Sequence, residues 1–324
     1  MSQPNFDGNA AIKDIINNTC DFNARKKAFK ILNAEELLTL KLPPREYVMC
    51  PVLGTKGIAM VHAARGTGKT FFIISFAYAI ACGGDFLGWK ADKPRRVIVL
   101  DGEMATEDYK GRLAGIAAGC PYELKNPDNL KILAADYNEN GLPDLSTPEG
   151  QATLRPYFED ADVVIFDNLS TLFTSLRESE NDDSQKANAL FLELRRKGKA
   201  VIFVHHSGKN GGQRGASRRE DILNTVISLK RPDDVDEGCV FNVRFEKARG
   251  FYGSDAEPFR AALITNSDGT MTWEKIDIAD AMLDQVQELK ADGKTQREIA
   301  GLLGISPATV NRILKKHKEQ RGPR

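Results

Sequence analysis

The sequence is poor in the residues that staple small folds. Its five cysteines, Cys20, Cys50, Cys82, Cys120 and Cys239, lie far apart with no CxxC spacing, which excludes a disulfide framework and argues against zinc. A reducing cytoplasm is the compartment such cysteine usage fits. There are four histidines, and the one adjacent pair among them has no further ligand at metal-binding spacing. Long apolar runs are missing. The most apolar, FFIISFAYAIAC at 71–82, stops well short of the roughly 18 residues of a membrane span, so no membrane partner is expected. No basic start followed by an apolar stretch opens the chain, so no secretory signal is expected. Net charge is absent as well: 45 Lys and Arg balance 45 Asp and Glu, and attraction to nucleic acid must come from local patches.

What is present is 324 residues with 41% hydrophobic and 28% charged side chains. That composition is globular rather than disordered, and the length suits one large α/β domain or two ordinary ones. Residues 1–45 mix amides, charges and short leucine clusters and stop at Pro43-Pro44; they read as a helical lead-in. From about residue 57, β-branched runs alternate with helical periodicity: GIAMVH, RRVIVLDGE, LKILA, DVVIFDN and AVIFVHH. Strands apolar on both faces belong in a covered, mainly parallel sheet. Helices are expected at about 69–83, 106–118, 149–158 and 183–197, the third capped by Thr147 with Pro148 at its first position. After residue 222 the strands NTVISLK, CVFNVRFEKAR, FRAALIT and TMTWEKI follow closely with turn signals between them, which predicts an antiparallel extension of the sheet.

The segment Ala63-Ala64-Arg65-Gly66-Thr67-Gly68-Lys69-Thr70 sits between an apolar strand and an apolar helix, the setting a phosphate-binding P-loop requires. Backbone N–H groups of Ala64 to Thr70 would cradle the phosphates, Lys69 would neutralise the β- and γ-phosphates of ATP, and Thr70 would hold Mg2+. Ala63 replaces the first glycine of the usual pattern. Two acids fall at strand ends, where open α/β sheets bind ligands: Asp167 after VVIF, placed to bind magnesium through water, and Glu103 after IVLDG, placed to orient or deprotonate a water. A helix cap at the strand end is the alternative for either acid alone. His205 and His206 end the fifth strand, where an imidazole can report a γ-phosphate, whereas His62 reads as a packed strand-end residue. Lys247 and Arg249 lie two apart on a strand and share a face; a solvated strand face is the other reading.

Together, PPREY at 43–47, ARGTGKT at 64–70, LDGEM at 100–104, VVIFDNLSTL at 163–172, END at 180–182, VIFVHHSGK at 201–209, RGAS at 214–217 and FEKARG at 245–250 resemble the RecA-like ATPases of the plasmid RepA helicase family, related to the hexameric replicative helicases. The similarity runs from about Glu35 to Trp273. It implies a RecA-like fold over 46–277 and an ATP-hydrolysing ring, a homo-oligomer and by the family's habit a hexamer. It makes Lys69 and Thr70 the nucleotide and magnesium groups, Glu103 the catalytic base, Asp167 the Walker-B acid and His206 the sensor. Lys247 and Arg249 would reach a neighbouring subunit's γ-phosphate as finger groups, with Arg231 the other finger candidate. The glycine-rich loop 207–219, carrying Lys209 and Arg214, would contact single-stranded DNA; a mobile basic loop is the alternative.

Residues 281–324 carry a second signal. From Ile305 to Arg324 there are six Lys or Arg against one acid, Glu319. Thr295 and Glu298 form a capping box, Ile299, Ala300, Leu302 and Leu303 give an apolar face, and Gly304 permits a turn. Ser306 and Pro307 open another helix whose Val310, Ile313 and Leu314 face a core. This looks like a helix-turn-helix, with Thr309, Asn311, Arg312 and Lys316 as exposed candidates for duplex contacts; a helical cap packed within a ring is the other reading. Two functions stay open: a replicative helicase of a plasmid or other mobile element, or an ATP-controlled DNA-binding regulator that unwinds nothing. A small-molecule P-loop kinase fits poorly, since no lid-like acceptor domain is visible.

Overall fold

The computed structural model describes residues 31–42, 44, 46–174, 182–206, 221–232, 235 and 237–320, with the backbone alone for 182–185, 279, 284 and 316–320. The chain divides into two compact units, 1–44 and 45–324. In the first, Asn33 caps the short helix Ala34–Thr39 through a capping box with Glu36. No residue of that helix is buried.

The second unit is built on nine strands: β1 (Ile58–Ala63), β2 (Val97–Asp101), β3 (Leu130–Ala134), β4 (Val163–Asp167), β5 (Ala200–His206), β6 (Thr225–Lys230), β7 (Cys239–Ala248), β8 (Phe259–Thr265) and β9 (Met271–Asp277). Their order across the sheet is β9-β8-β7-β6-β1-β5-β4-β2-β3. The six from β6 to β3 run parallel, and β7, β8 and β9 add antiparallel neighbours beyond β6, as the change of sequence pattern after residue 222 predicts. Small hairpins pair Tyr47–Met49 with Leu53–Gly54 and Asp85–Phe86 with Trp89–Lys90.

Alternation divides the strand residues between two cores. Ala59, Val61, Val163, Ile165, Ile202 and Val204 pack on one face with α1 (Lys69–Cys82). Ile58, Met60, Val164, Phe166, Val201 and Phe203 pack on the other with α3 (Pro148–Phe158) and α4 (Asp182–Arg196). This two-sided cover is why the strands read as continuous apolar runs. Helix α1 is apolar almost all round because it is buried almost all round: eleven of its fourteen residues are buried, under the Trp89 hairpin and α2 (Thr106–Gly119). Among the described residues no helix is long and apolar enough to cross a membrane.

The C-terminal helices α5 (Ile278–Ala281), α6 (Leu283–Ala291), α7 (Gln296–Leu303) and α8 (Pro307–Gln320) surround a small core of their own, Ile278, Met282, Val286, Ile299, Ala300, Val310 and Ile313. The Thr295–Glu298 capping box opens α7, and Gly304 ends it in the left-handed region at φ 59°, where a side chain is strained. Ser306 Oγ accepts from Thr309 N at 3.0 Å and opens α8. One expectation fails here. Leu302 is 61% exposed, because the face that packs is centred on Ile299, Ala300 and Leu303 and position 302 lies about 100° round the helix from it.

The α4-side core rests on a phenylalanine stack. Phe191 is 1% exposed, with its ring centroid 4.9 Å from Phe203 and 5.2 Å from Phe166. Phe191→Ala should therefore cost about 3–5 kcal/mol of stability in urea titration followed by circular dichroism; a loss below about 1 kcal/mol would show that α4 does not clamp this face.

Candidate functional site

The site forms where β1, β2, β4 and β5 end side by side. After β1 the loop 64–68 turns into α1 through Gly66 (φ 74°) and Gly68 (φ 101°). Gly68 has a second constraint: a Cβ there would overlap Cys239 Sγ of β7, so the loop lies tight against the neighbouring sheet. Thr67 Oγ1 donates to Ala64 O at 2.8 Å, which closes the loop but keeps that hydroxyl out of the pocket. Lys69 is 6% exposed, and its ammonium donates to Ala63 O (3.2 Å) and Ala64 O (2.7 Å). Burial pulls its pKa down, opposed by the charges of Asp167 and Glu103.

Strands β2 and β4 are paired in register so that Asp101 stands beside Asp167. Both are nearly out of reach of water, at 2% and 5% exposure. Burial pushes the Asp101 carboxyl up to about 6, offset by N–H groups of Met104 and Glu103; Met104 N donates to Asp101 Oδ2 at 3.0 Å. Burial, then repulsion from Asp101, pushes Asp167 up to about 7, while a hydrogen bond from Thr70 and the charge of Lys69 act the other way. Asp167 Oδ2 has no hydrogen-bond partner.

Glu103, 60% exposed in its side chain, is held from two sides: Asn168 Nδ2 donates to its Oε2 at 2.5 Å, and His206 Nε2 lies 3.5 Å from the same atom. Burial first, then the charge of Lys69, lowers the His206 pKa, so its imidazole is neutral near pH 7. The cleft, about 340 Å³, is lined by Arg65, Gly66, Gly68, Lys69, Thr70 and Phe71 from the loop and α1, and by Asp101, Glu103, Met104, Arg112, Asp167, Asn168 and His206 opposite. The expected residues Lys69, Thr70, Glu103, Asp167 and His206 thus meet in one cleft.

Sequence reasoning missed Asp101, Asn168 and Arg112. The first two end or follow the same strands as the acids that were found, so the strand-end argument would have reached them. Arg112 lies on α2 and stacks over Phe71, its guanidinium carbon 4.4 Å from the ring centroid; no motif points to it. A divalent cation fits the donor set. A threonine hydroxyl, two adjacent carboxylates and an unpartnered carboxylate oxygen suit Mg2+, which takes few protein ligands and completes its shell with phosphate and water. Among the described residues no group of three His, Cys, Asp or Glu could hold a metal alone.

The finger candidates stand elsewhere. Arg249 is exposed in the turn after β7, Lys247 is half-buried at that strand's end, and Arg231 donates to Gly238 O at 2.8 Å. Lys209 and Arg214 lie outside the described residues. On α8, Asn311 is exposed and the Thr309 hydroxyl meets Ser306 Oγ at 2.8 Å. Arg312, expected to be exposed, is half-buried and bonded to Glu257, with Asp277 at 3.7 Å: acids on the sheet extension draw it inward. Lys316 lies in α8, its side chain undescribed. His62 is buried, as expected, and its Nε2 meets Glu246 Oε2 at 3.0 Å.

Residues 24–212, over half of the chain, match the model of the AAA domain. The chain belongs to the AAA domain family. Residues 285–324 match a homeodomain-like domain. Among solved structures, this AAA chain is similar to the flagellar accessory protein FlaH from Methanocaldococcus jannaschii (14% identity, 68% of this chain and 90% of that one, TM-score 0.47). It is also similar to a KaiC-like protein from Pyrococcus horikoshii (15% identity, 69% and 93%, TM-score 0.47). No curated protein matches the sequence. The AAA domain thus has a RecA-like α/β fold with a P-loop, followed by an all-helical, helix-turn-helix-like region.

The raised Asp167 carboxyl has a consequence for stability. Its protonated form favours the fold, so its contribution is full below about pH 4 and is lost as pH rises through about 7. Asp167→Asn removes that loss. Its stability gain in nucleotide-free urea titrations should be on the order of 2 kcal/mol larger at pH 8 than at pH 4; a gain independent of pH would contradict the burial of this charge.

Proposed function

We propose that this AAA protein is a magnesium-dependent ATPase that works on DNA as an oligomeric ring. The observation that carries the reading is the convergence of Lys69, Thr70, Glu103, Asp167 and His206 on one cleft at the carboxyl ends of four neighbouring strands. Lys69 and the N–H groups of residues 64–70 bind the triphosphate of ATP. Thr70 and Asp167, with Asp101 behind them, hold Mg2+, which when bound neutralises phosphate charge. Glu103 orients the attacking water and takes its proton. Asn168 and the neutral His206 hold Glu103 in place, and His206 links it to the γ-phosphate by hydrogen bonding.

Among the described residues no cation of the sheet extension lines the cleft, which supports a finger supplied in trans, and exposed Arg249 is the first candidate, before Lys247 and Arg231. A ring of identical subunits, a hexamer in the RepA-like reading, then places one ATP at each interface, with single-stranded DNA contacted by Lys209 and Arg214. The C-terminal module holds duplex DNA through Asn311, Thr309 and Lys316. On this reading the protein is a cytoplasmic replicative helicase of a plasmid or other mobile element. The pairing of Arg312 with Glu257 and Asp277 favours a second reading, in which nucleotide state controls duplex binding and nothing is unwound.

Steady-state ATPase measured alone, with single-stranded DNA and with duplex separates the two. The motor predicts strong single-strand stimulation in a ring-sized particle; indifference to single strands, with duplex binding lost on deletion of 281–324, selects the regulator. Arg249→Ala should lower turnover about 10³-fold or more. Mixing it with Glu103→Gln subunits should restore activity, and no rescue at any ratio removes Arg249 as the finger.

A further inference from the structure

The antiparallel extension has two faces of opposite character. Ile227, Leu229, Phe241, Val243, Phe259 and Ala261 belong to the α1 core. The register gathers the alternate residues on the other face: Ser228 opposite Arg244, Lys230 opposite Asn242, and Asn242 opposite Arg260. The C-terminal helices lie over this polar face. Between them is a cavity of about 70 Å³, lined on the strand side by Lys230, Arg231, Asn242, Arg244 and Arg260 and on the helix side by Met282, Gln285 and Leu303.

Four cations therefore converge on a space that no carboxylate lines among the described residues. Two of them are engaged by their surroundings: Arg260 Nε donates to Asn242 Oδ1 at 3.2 Å, and Arg231 to Gly238 O. Arg244 is different. Its Nε is buried with no hydrogen-bond partner, and burial lowers its pKa against the pull of Glu246. Glu246 is engaged with His62, and Glu257 and Asp277 take Arg312. The Arg244 fork also backs onto the turn of the helical module, where a Cβ on Gly304 would lie 3.6 Å from Nη1.

A guanidinium N–H taken out of water without a hydrogen bond, as at Arg244 Nε, is costly, and the planar fork of such a group matches the oxygens of phosphate. A cavity of about 70 Å³ has room for one phosphate group and is too small for a nucleotide. We infer that this seam is a second phosphate-binding site, built by Arg244, Lys230, Arg231 and Arg260 and closed by Gln285, that takes one phosphate group as a free phosphate or as a diester of a nucleic-acid backbone. The diester source rests on the reading of residues 281–324 as DNA-binding; the free-phosphate source does not.

The test uses the full chain carrying Lys69→Ala, which disables the P-loop, and inorganic phosphate as probe against chloride at equal ionic strength. Phosphate should raise Tm by about 2–4 °C, and Arg244→Gln should abolish the shift. Gln285→Glu, which places a carboxylate at the half-buried helix-side wall, should also abolish it in a chain whose strands are untouched. If a backbone diester is the ligand, Arg244→Gln also weakens duplex binding about 3–10-fold and lowers the salt slope by about 1. If free phosphate is the ligand, duplex binding is unchanged while the shift disappears. Loss of the DNA arm alone overturns the DNA reading and leaves the site standing. No phosphate-specific shift in the parent chain, with duplex affinity unchanged by Arg244→Gln, overturns the site.

Discussion

Two carboxyl groups buried side by side are costly to ionise, and the arrangement around Asp101 and Asp167 answers that cost. The register of β2 and β4 forces the contact. Burial raises both carboxyls toward neutrality; the backbone N–H groups of Met104 and Glu103 oppose it at Asp101, and the threonine and lysine that open α1 oppose it at Asp167. The cleft is thus poised for positive charge, which on the proposed reading a magnesium ion carried on a triphosphate would supply. The P-loop, the Asn168 bond to Glu103 and the neutral His206 are arranged about that one electrostatic demand. A site of this kind sacrifices stability for function.

Most of the fold is visible in the pattern of residues because the sheet is covered on both faces. Runs such as VIVL and VVIF are apolar throughout, and each of the four helices expected in the ATPase core begins within one residue of its expected start, while the short helix Leu169–Leu172 has no counterpart among them. The strand ends then point to Glu103 and Asp167. What the pattern could not reveal is which strands are neighbours. Asp101 is itself a strand-end acid, but that it stands beside Asp167 emerges only when β2 lies against β4, a pairing across more than sixty residues of chain. Arg112 stayed hidden for the same reason, since it faces the cleft from a helix whose face depends on packing against Phe71.

The C-terminal helices show the converse. Their caps and turn follow from local chemistry, with Thr295, Glu298, Gly304 and Ser306 where short-range bonding needs them. The roles of Leu302 and Arg312 depend on what lies opposite. Arg312 reads as a DNA contact when α8 is drawn alone, yet two acids of the sheet extension engage it. The charge pattern of that extension, basic under the module and acidic at its rim, ties the helical region to the strands that also carry Lys247 and Arg249.

The most direct test of the carboxylate pair is the proton balance of binding, by calorimetry of nucleotide added as its magnesium complex in buffers of different ionisation enthalpy. Between pH 6 and 7 the two raised carboxyls hold protons that the cation must displace, so binding should release about one proton, and release should vanish near pH 9. Binding with no proton release at pH 6.5 would contradict the account, because it would mean that Asp101 and Asp167 are already ionised without the cation.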